Sequence, residues 1–330
     1  MSQSKGVIVR GTGSCLPARK MPNAEFARSL DTSDEWIRTR TGICSRHIAG
    51  PGETSASMGL EAARRALRAA DLEPNDLDLI ICATITPEMI FPSTGCFIQA
   101  GLGCRTIGAF DLLAACSGFL YALAVGSQFI RTGTYRNVLV IGTETLSRII
   151  DFSDRTTCVL FGDGAGAAVL SASDDPERGL QYFRLYADGS NPELMSLPGG
   201  GSRFPVSAQT IADRKHYIRI NGREVYKFAV TRMQELIQDA MAECLLTVED
   251  VALVIPHQVN QRIIDSAANR MKFPAEKVMV NLDNNGNTSA ASIPLALDEA
   301  IRTGRAKEGD KIIMVAFGGG LTWASAVLTL

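Results

Sequence analysis

Ile130-Arg131-Thr132-Gly133 closes one apolar helical stretch, and Ile301-Arg302-Thr303-Gly304 closes another. In each, glycine is a natural helix stop. Working outward, each quartet precedes a short apolar strand, Asn137–Gly142 in one case and Lys311–Ala316 in the other. Upstream, a strand over Ile107–Leu112 leads to Cys116, and a strand over Val278–Leu282 leads to Asn287. Asn287 thus falls close to the place in its half that Cys116 holds in the other. Further back, helical periodicity over Ala56–Ala70 precedes a strand at Leu77–Thr84, and the same periodicity over Phe228–Leu245 precedes Val251–His257. One α/β unit is used twice, with strands apolar enough for burial on both faces. The polar stretch Ser173-Asp174-Asp175-Pro176-Glu177-Arg178 is the natural junction, giving halves 1–178 and 179–330.

The chain has 330 residues, 46% hydrophobic and 21% charged, with a net charge of -2. That is room for one large domain or two coupled ones, and nothing in the charge balance calls for nucleic acid or an anionic membrane. Met1–Lys5 is polar, and Val7-Ile8-Val9 is too short for a signal's apolar region. No apolar run reaches transmembrane length. The eight cysteines form no CxxC pair, and no HxxxH helix motif occurs. A zinc site or a disulfide framework is therefore not expected, and a reduced, cytoplasmic protein is.

Three islands offer chemistry: Leu113-Ala114-Ala115-Cys116-Ser117-Gly118, Pro256-His257-Gln258-Val259-Asn260 and Asn285-Gly286-Asn287-Thr288-Ser289-Ala290. A buried cysteine is usually a small hydrophobe. Cys116, however, follows a strand among small neighbours and opens a helix over Phe119–Ile130, where a helix N-terminus favours the thiolate. His257 ends an apolar strand, at the edge where α/β sheets usually carry function; a satisfied buried imidazole is the alternative. Of the other histidines, His216 lies in a charged run and His47 in a polar stretch. Asn287 reads equally as a turn or cap residue. Gly162-Asp163-Gly164-Ala165-Gly166 invites a nucleotide-binding reading, but it lies between two apparent strands, Cys158–Phe161 and Ala167–Leu170, which predicts a hairpin. Gly318-Gly319-Gly320 suggests a close backbone approach to a ligand.

Taken in order, the islands resemble the β-ketoacyl-acyl-carrier-protein synthase III family of thiolase-fold condensing enzymes. Thr32-Ser33-Asp34-Glu35-Trp36-Ile37, Thr39-Arg40-Thr41-Gly42-Ile43, the Cys116 elbow, Phe161–Ala167, Pro256-His257-Gln258, Gly286–Ala290 and Phe317–Gly320 carry the likeness over essentially the whole chain. The resemblance implies an α/β fold, thiolase-like and duplicated, with five layers α-β-α-β-α, and a homodimer. It implies that Cys116 accepts the acyl group, that His257 and Asn287 bind the second substrate's thioester oxygen, and that the N–H groups of Cys116 and Gly319 form an oxyanion hole. Trp36, Arg40, Arg155 and Asn260 would hold coenzyme A. Arg262, with Lys227 and Arg270, would dock an acidic acyl carrier protein, although Asn269 replaces a lysine of the family pattern. Phe91 would reach across the dimer to close the partner's acyl pocket.

The reaction so implied is a decarboxylative Claisen condensation. A short acyl-CoA, acetyl-CoA first, would join malonyl-acyl carrier protein and initiate type II fatty acid synthesis, with no metal or redox cofactor. The last glycine loop lacks the second cysteine of degradative thiolases, and Asn287 stands where elongating synthases have a histidine. A sister synthase of secondary metabolism is the enzyme alternative. A nucleotide-binding regulatory protein built around Gly162–Gly166 is the non-enzyme one.

Overall fold

The computed structural model describes residues 5–175 and 177–330. Met1–Ser4, part of the polar start noted above, and Pro176, within the expected junction, lie outside the described residues.

Thirteen strands occur among the described residues. In the first half they are β1 (Gly6–Cys15), β2 (Lys20–Pro22), β3 (Ser45–His47), β4 (Leu79–Ala83), β5 (Gly108–Leu112), β6 (Asn137–Glu144) and β7 (Gly164–Ser173). In the second half come β8 (Gly179–Ala187), β9 (Met195–Ser196), β10 (Arg219–Ile220), β11 (Val251–Pro256), β12 (Lys311–Gly318) and β13 (Thr322–Thr329). The helices are α1 (Asp34–Thr41), α2 (Ser55–Ala70), α3 (Thr94–Leu102), α4 (Gly118–Arg131), α5 (Ala208–Ala212), α6 (Gly222–Glu243), α7 (Gln261–Arg270), α8 (Leu282–Asn285) and α9 (Ser292–Arg302). Short polar side chains set several starts. Ser33, Thr54, Ser93 and Asn260 accept from backbone N–H groups in the first turns of α1, α2, α3 and α7, which would otherwise lack partners.

Nine strands run in the order β11-β12-β13-β8-β1-β7-β6-β4-β5. The β8–β1 seam holds only one registered pair, Val7 with Gly179. On either side of it the pairing repeats. β4 is parallel to β5 and β6, β6 is antiparallel to β7, and β7 is antiparallel to β1. Likewise β11 is parallel to β12, β12 is antiparallel to β13, and β13 is antiparallel to β8. The counterpart of β5 should be the strand expected over Val278–Leu282. It forms only a single bridge, Val254 with Val278. The Asn281 and Leu282 N–H groups donate to the Gln258 side chain instead of to a ladder, and the chain turns into α8.

Helices α4 and α9 lie between the two sheets and pack against strands of both. Their Phe119, Leu123, Ile293 and Leu297 share one core with Val140 of β6 and Met314 of β12. Outside, α2 covers the first sheet through Ala62 and Ala66. This contact is close: a Cβ at Gly13 of β1 would meet the Ala62 carbonyl oxygen at 2.4 Å. Met233 and Leu236 of α6 cover the second sheet against Ile313 and Val327. The succession is α-β-α-β-α, as expected. Among the described residues, no helix is long and apolar enough to cross a membrane.

The hairpin expected around Gly162–Gly166 is absent. Cys158–Leu160 is a turn, and β7 pairs with β1 and β6. Phe161 instead bridges Asn287. The glycines there serve close packing: a Cβ at Gly162 would lie 2.2 Å from the Asn285 oxygen, and one at Gly166 2.7 Å from the Pro294 Cβ. With chain packed where phosphate would have to sit, the nucleotide-binding reading loses its basis.

Candidate active site

After β5 the chain passes through a tight turn, Ala115–Ser117, before α4 begins. Ala115 is left-handed, with φ 47°. Two hydrogen bonds tie the turn to the end of the other half: Ser117 Oγ donates to the Thr322 oxygen at 3.1 Å, and Thr322 Oγ1 donates to the Ala114 oxygen at 2.9 Å. Gly318 is needed here, because a Cβ on it would lie 2.6 Å from the Cys116 nitrogen. The approach expected of Gly318-Gly319-Gly320 is thus partly to protein backbone; Gly319 and Gly320 line the cavity beside Cys116.

The second half repeats this turn at Ser289–Ala291, ahead of α9, with Ser289 at φ 49°. Matching Ala115 to Ser289 places Ala290, not Asn287, opposite Cys116. Asn287 lies three residues earlier. Its backbone is clamped by the Phe161 segment: its N–H donates to the Leu160 oxygen at 2.8 Å, and its oxygen accepts from the Gly162 N–H at 3.0 Å. Its side-chain oxygen accepts from the Ser289 N–H at 2.8 Å, which leaves the amide Nδ2 as its remaining donor end.

His257 follows β11, and its N–H donates to the Val315 oxygen at 2.8 Å. Nδ1 lies 2.7 Å from Ser292 Oγ at the start of α9. Nε2 is buried with no partner. A buried polar atom without a partner is costly, and here it borders the cavity. The Phe317 ring packs edge-on against the imidazole at 5.6 Å. Burial pushes the His257 pKa down to about 3, so the ring is neutral near pH 7. In the tautomer where Ser292 donates to Nδ1, Nε2 carries the hydrogen and is a donor.

Cys116, His257 and Asn287 line one cavity of about 540 Å3. The rest of its wall is mostly apolar, including Ile85, Leu146, Ile218 and Val225. Burial pushes the Cys116 thiol up to about 12, partly offset by the neighbouring Ser289 hydroxyl. The thiolate expected from a helix N-terminus is therefore corrected. α4 starts at Gly118, two residues after Cys116, and desolvation outweighs the dipole.

Arg40 and Arg155 lie over Trp36, 4.9 and 5.5 Å from its ring centre. Asp31 holds Arg155 through its backbone oxygen and its carboxylate. Asn260 lines the cavity, caps α7 and donates to the Arg40 oxygen at 3.1 Å. Arg262 donates to the Thr39 oxygen at 3.1 Å. These contacts join the Trp36 cluster to Asn260, which lines the cavity. Lys227 and Arg270 are exposed on the paired helices α6 and α7; Lys227 pairs with Glu224 at 2.9 Å. Phe91 does not line this chain's own cavity. It is 82% exposed in the loop between β4 and α3, next to Ile90 at 84%, so it is no core phenylalanine.

Three residues escaped the sequence reading. Ser289 sat unremarked inside a quoted island, and Ser292 followed it closely. Glu144 is fully buried at the end of β6; a carboxylate closing an apolar strand was the available signal. Among the described residues, no group of three or more His, Cys, Asp or Glu is placed to hold a metal ion.

A buried thiol facing two hydrogen-bond donors suits acyl transfer followed by carbon–carbon bond formation, and the duplicated layers place the chain in the class of thiolase-fold condensing acyltransferases. The family model described as 3-Oxoacyl-[acyl-carrier-protein (ACP)] synthase III matches residues 110–189, and that of its C-terminal part matches residues 241–330. A β-ketoacyl-[acyl-carrier-protein] synthase III of Caldanaerobacter subterraneus subsp. tengcongensis is 52% identical over 320 residues, 97% of this chain and 96% of the relative. One from Rhizorhabdus wittichii is 50% identical over 321 residues, 97% of this chain and 98% of the relative. The crystal structure of 3-oxoacyl-[acyl-carrier-protein] synthase III from Aquifex aeolicus VF5 is 48% identical, with a TM-score of 0.92 over 98% of this chain and 100% of that one. The chain belongs to the β-ketoacyl-acyl-carrier-protein synthase III family, acyltransferases that open fatty acid synthesis by condensing an acyl-CoA with malonyl-acyl carrier protein.

Proposed function

We propose that this chain transfers a short acyl group, acetyl before longer ones, from coenzyme A to Cys116 and condenses it with malonyl-acyl carrier protein. The convergence of Cys116, His257 and Asn287 on one cavity carries this reading. The Cys116 sulfur attacks the thioester carbonyl, and the N–H groups of Cys116 and Gly319 receive the oxyanion. Coenzyme A leaves. Malonyl-carrier protein then binds with its thioester oxygen at His257 Nε2 and Asn287 Nδ2. Loss of carbon dioxide generates a carbanion, so no base has to remove a carbon-bound proton, and the two donors stabilise the developing enolate. The carbanion attacks acyl-Cys116 and frees the thiol.

Coenzyme A would be held at the rim, with adenine stacked on Trp36 and Arg40, Arg155 and Asn260 facing the nucleotide. For adenine to stack on the face that Arg155 covers, Arg155 must draw back from the ring. Arg262, Lys227 and Arg270 would meet the acidic carrier protein. The halves would divide at Arg178/Gly179, next to the seam pair of Val7 and Gly179. The chain would work as a homodimer in the cytoplasm, where both thioester substrates are made. The unpaired edge strand β5, with exposed Leu113, Ile90 and Phe91, supports a dimer, because open edges and apolar patches attract partners. Phe91 would then close the partner's acyl pocket. Intact-mass analysis after mixing with acetyl-CoA tests the reading. One acetyl adduct per chain, located on Cys116, is expected; no adduct with any acyl-CoA would overturn it.

A further inference from the structure

Glu144 is a fully buried carboxylate that the scheme above leaves without a task. It sits at the end of β6 and gathers donors from two halves of the molecule. Thr86 Oγ1 donates to it at 2.5 Å, the Ile85 N–H at 3.2 Å and Thr84 Oγ1 at 3.3 Å, all from the loop after β4. From the second half, Ser289 Oγ donates to Glu144 Oε1 at 3.1 Å. The same Ser289 lines the cavity beside Cys116, near enough for its hydroxyl to favour the thiolate. Ser289 Oγ therefore links Glu144 Oε1 to the cavity that Cys116 lines. The left-handed backbone of Ser289 belongs to the turn that faces the nucleophile turn.

We propose that Glu144 is the proton acceptor for Cys116, acting through Ser289. The inference rests on the acyl-Cys116 reading. As the thiol ionises, its proton passes to Ser289 Oγ while the Ser289 proton passes to Glu144 Oε1. The products are a thiolate and a neutral carboxylic acid, so the net charge of the buried site does not change. The thiolate then forms a bond to the acyl carbon. When the bond between that carbon and coenzyme A breaks, the departing sulfur takes the proton back along the same path. Acyl-Cys116 and an ionised Glu144 remain.

The environment agrees with this task. Burial pushes Glu144 up to about 7, where a carboxylate is a far better proton acceptor than at its ordinary value. His257, pushed down to about 3, is a weak base. The titratable groups that feel Glu144 are the Cys116 thiol and, behind it on β4, the Cys82 thiol; burial holds both protonated. The sign follows directly. Glu144 accepts only when ionised, so acylation should rise with pH through about 7 and level off above it.

The test is pre-steady-state acylation by acetyl-CoA, followed by mass against pH, beside iodoacetamide alkylation of Cys116. Glu144→Gln should slow acylation by on the order of a hundredfold near neutrality. It should also abolish the rise near pH 7, leaving a rate that climbs only as the thiol ionises directly at high pH. Ser289→Ala should do the same with Glu144 in place. Its backbone is tolerated, because Ala115 holds the same left-handed conformation in the matching turn. A structural role alone would lower the thermal midpoint and leave the pH profile unmoved. Glu144→Gln or Ser289→Ala enzyme with the wild-type profile overturns the relay. Wild-type enzyme that takes no acyl label fails the parent reading instead.

Discussion

Two turns of one shape, Ala115–Ser117 and Ser289–Ala291, face each other across the middle of the molecule. Each begins with a left-handed residue and leads into a central helix. At the middle position the first turn carries Cys116 and the second Ala290. The polar groups of the second turn lie around it, at Asn287, Ser289 and Ser292. Duplication has supplied one scaffold for two jobs: one copy presents the nucleophile, and the other presents what the nucleophile and its partner need. The surroundings differ accordingly. Cys116 opens onto the cavity, whereas Ala290 is buried with its carbonyl oxygen against Gly142, where a Cβ would come within 2.3 Å.

The strongest attack on this comparison moves the thiol from one turn to the other. Cys116→Ala should abolish acyl labelling, read by intact mass. Adding Ala290→Cys should not restore it, since that position does not line the cavity. Recovered labelling would mean the turns are interchangeable. Next in size are the donors. Asn287→Ala and His257→Ala should lower condensation by on the order of a hundredfold or more while acylation survives better. Because His257 stays neutral down to about pH 3, condensation by pre-acylated enzyme should show no histidine limb between about pH 5 and 8. A break near pH 6 that vanishes in His257→Ala would show a charged donor.

The outer edges of the halves differ as the turns do: β5 is an open strand, while its counterpart is a single bridge. Phe91→Thr, in the loop beside the open edge, should admit longer or branched starters, shifting acyl-CoA selectivity by about 1–3 kcal/mol. An unchanged acyl-CoA profile would remove Phe91 from the pocket. The smallest effect is expected at Ser292→Ala. It loses one hydrogen bond to Nδ1, worth about 0.5–1.5 kcal/mol, so condensation should fall by roughly three- to tenfold, with acylation unchanged.

Periodicity made the duplication visible because buried helices and strands must repeat apolar positions. The ends of α4 and α9 and the strands β4, β6 and β11 followed from it, whereas the five layers came from the family resemblance. It misjudged Val278–Leu282, whose apolar run is satisfied by one bridge and a glutamine side chain. It also misjudged Cys158–Phe161, whose partner lies more than a hundred residues away at Asn287. Proximity of that kind leaves no local trace. Cys116 and His257 were legible because each follows a strand among small or polar residues, whereas Asn287, which follows α8, was singled out by the family resemblance. Glu144 and Ser292 were not, since their importance lies in what they touch. The state of Cys116 was misread for the same reason: a turn's dipole can be seen in sequence, but the depth of a cavity cannot.

The central pair of helices has a consequence for how the molecule can be taken apart. Both α4 and α9 are apolar toward two sheets, so each half supplies one helix whose far side is covered only by the other half. A gene cut between Arg178 and Gly179 would yield two fragments that are each left with a bare greasy face. Neither should persist as an independent domain. Made together in one cell, they should find each other and rebuild a working site, with the nucleophile delivered by one polypeptide and its hydrogen-bond donors by another.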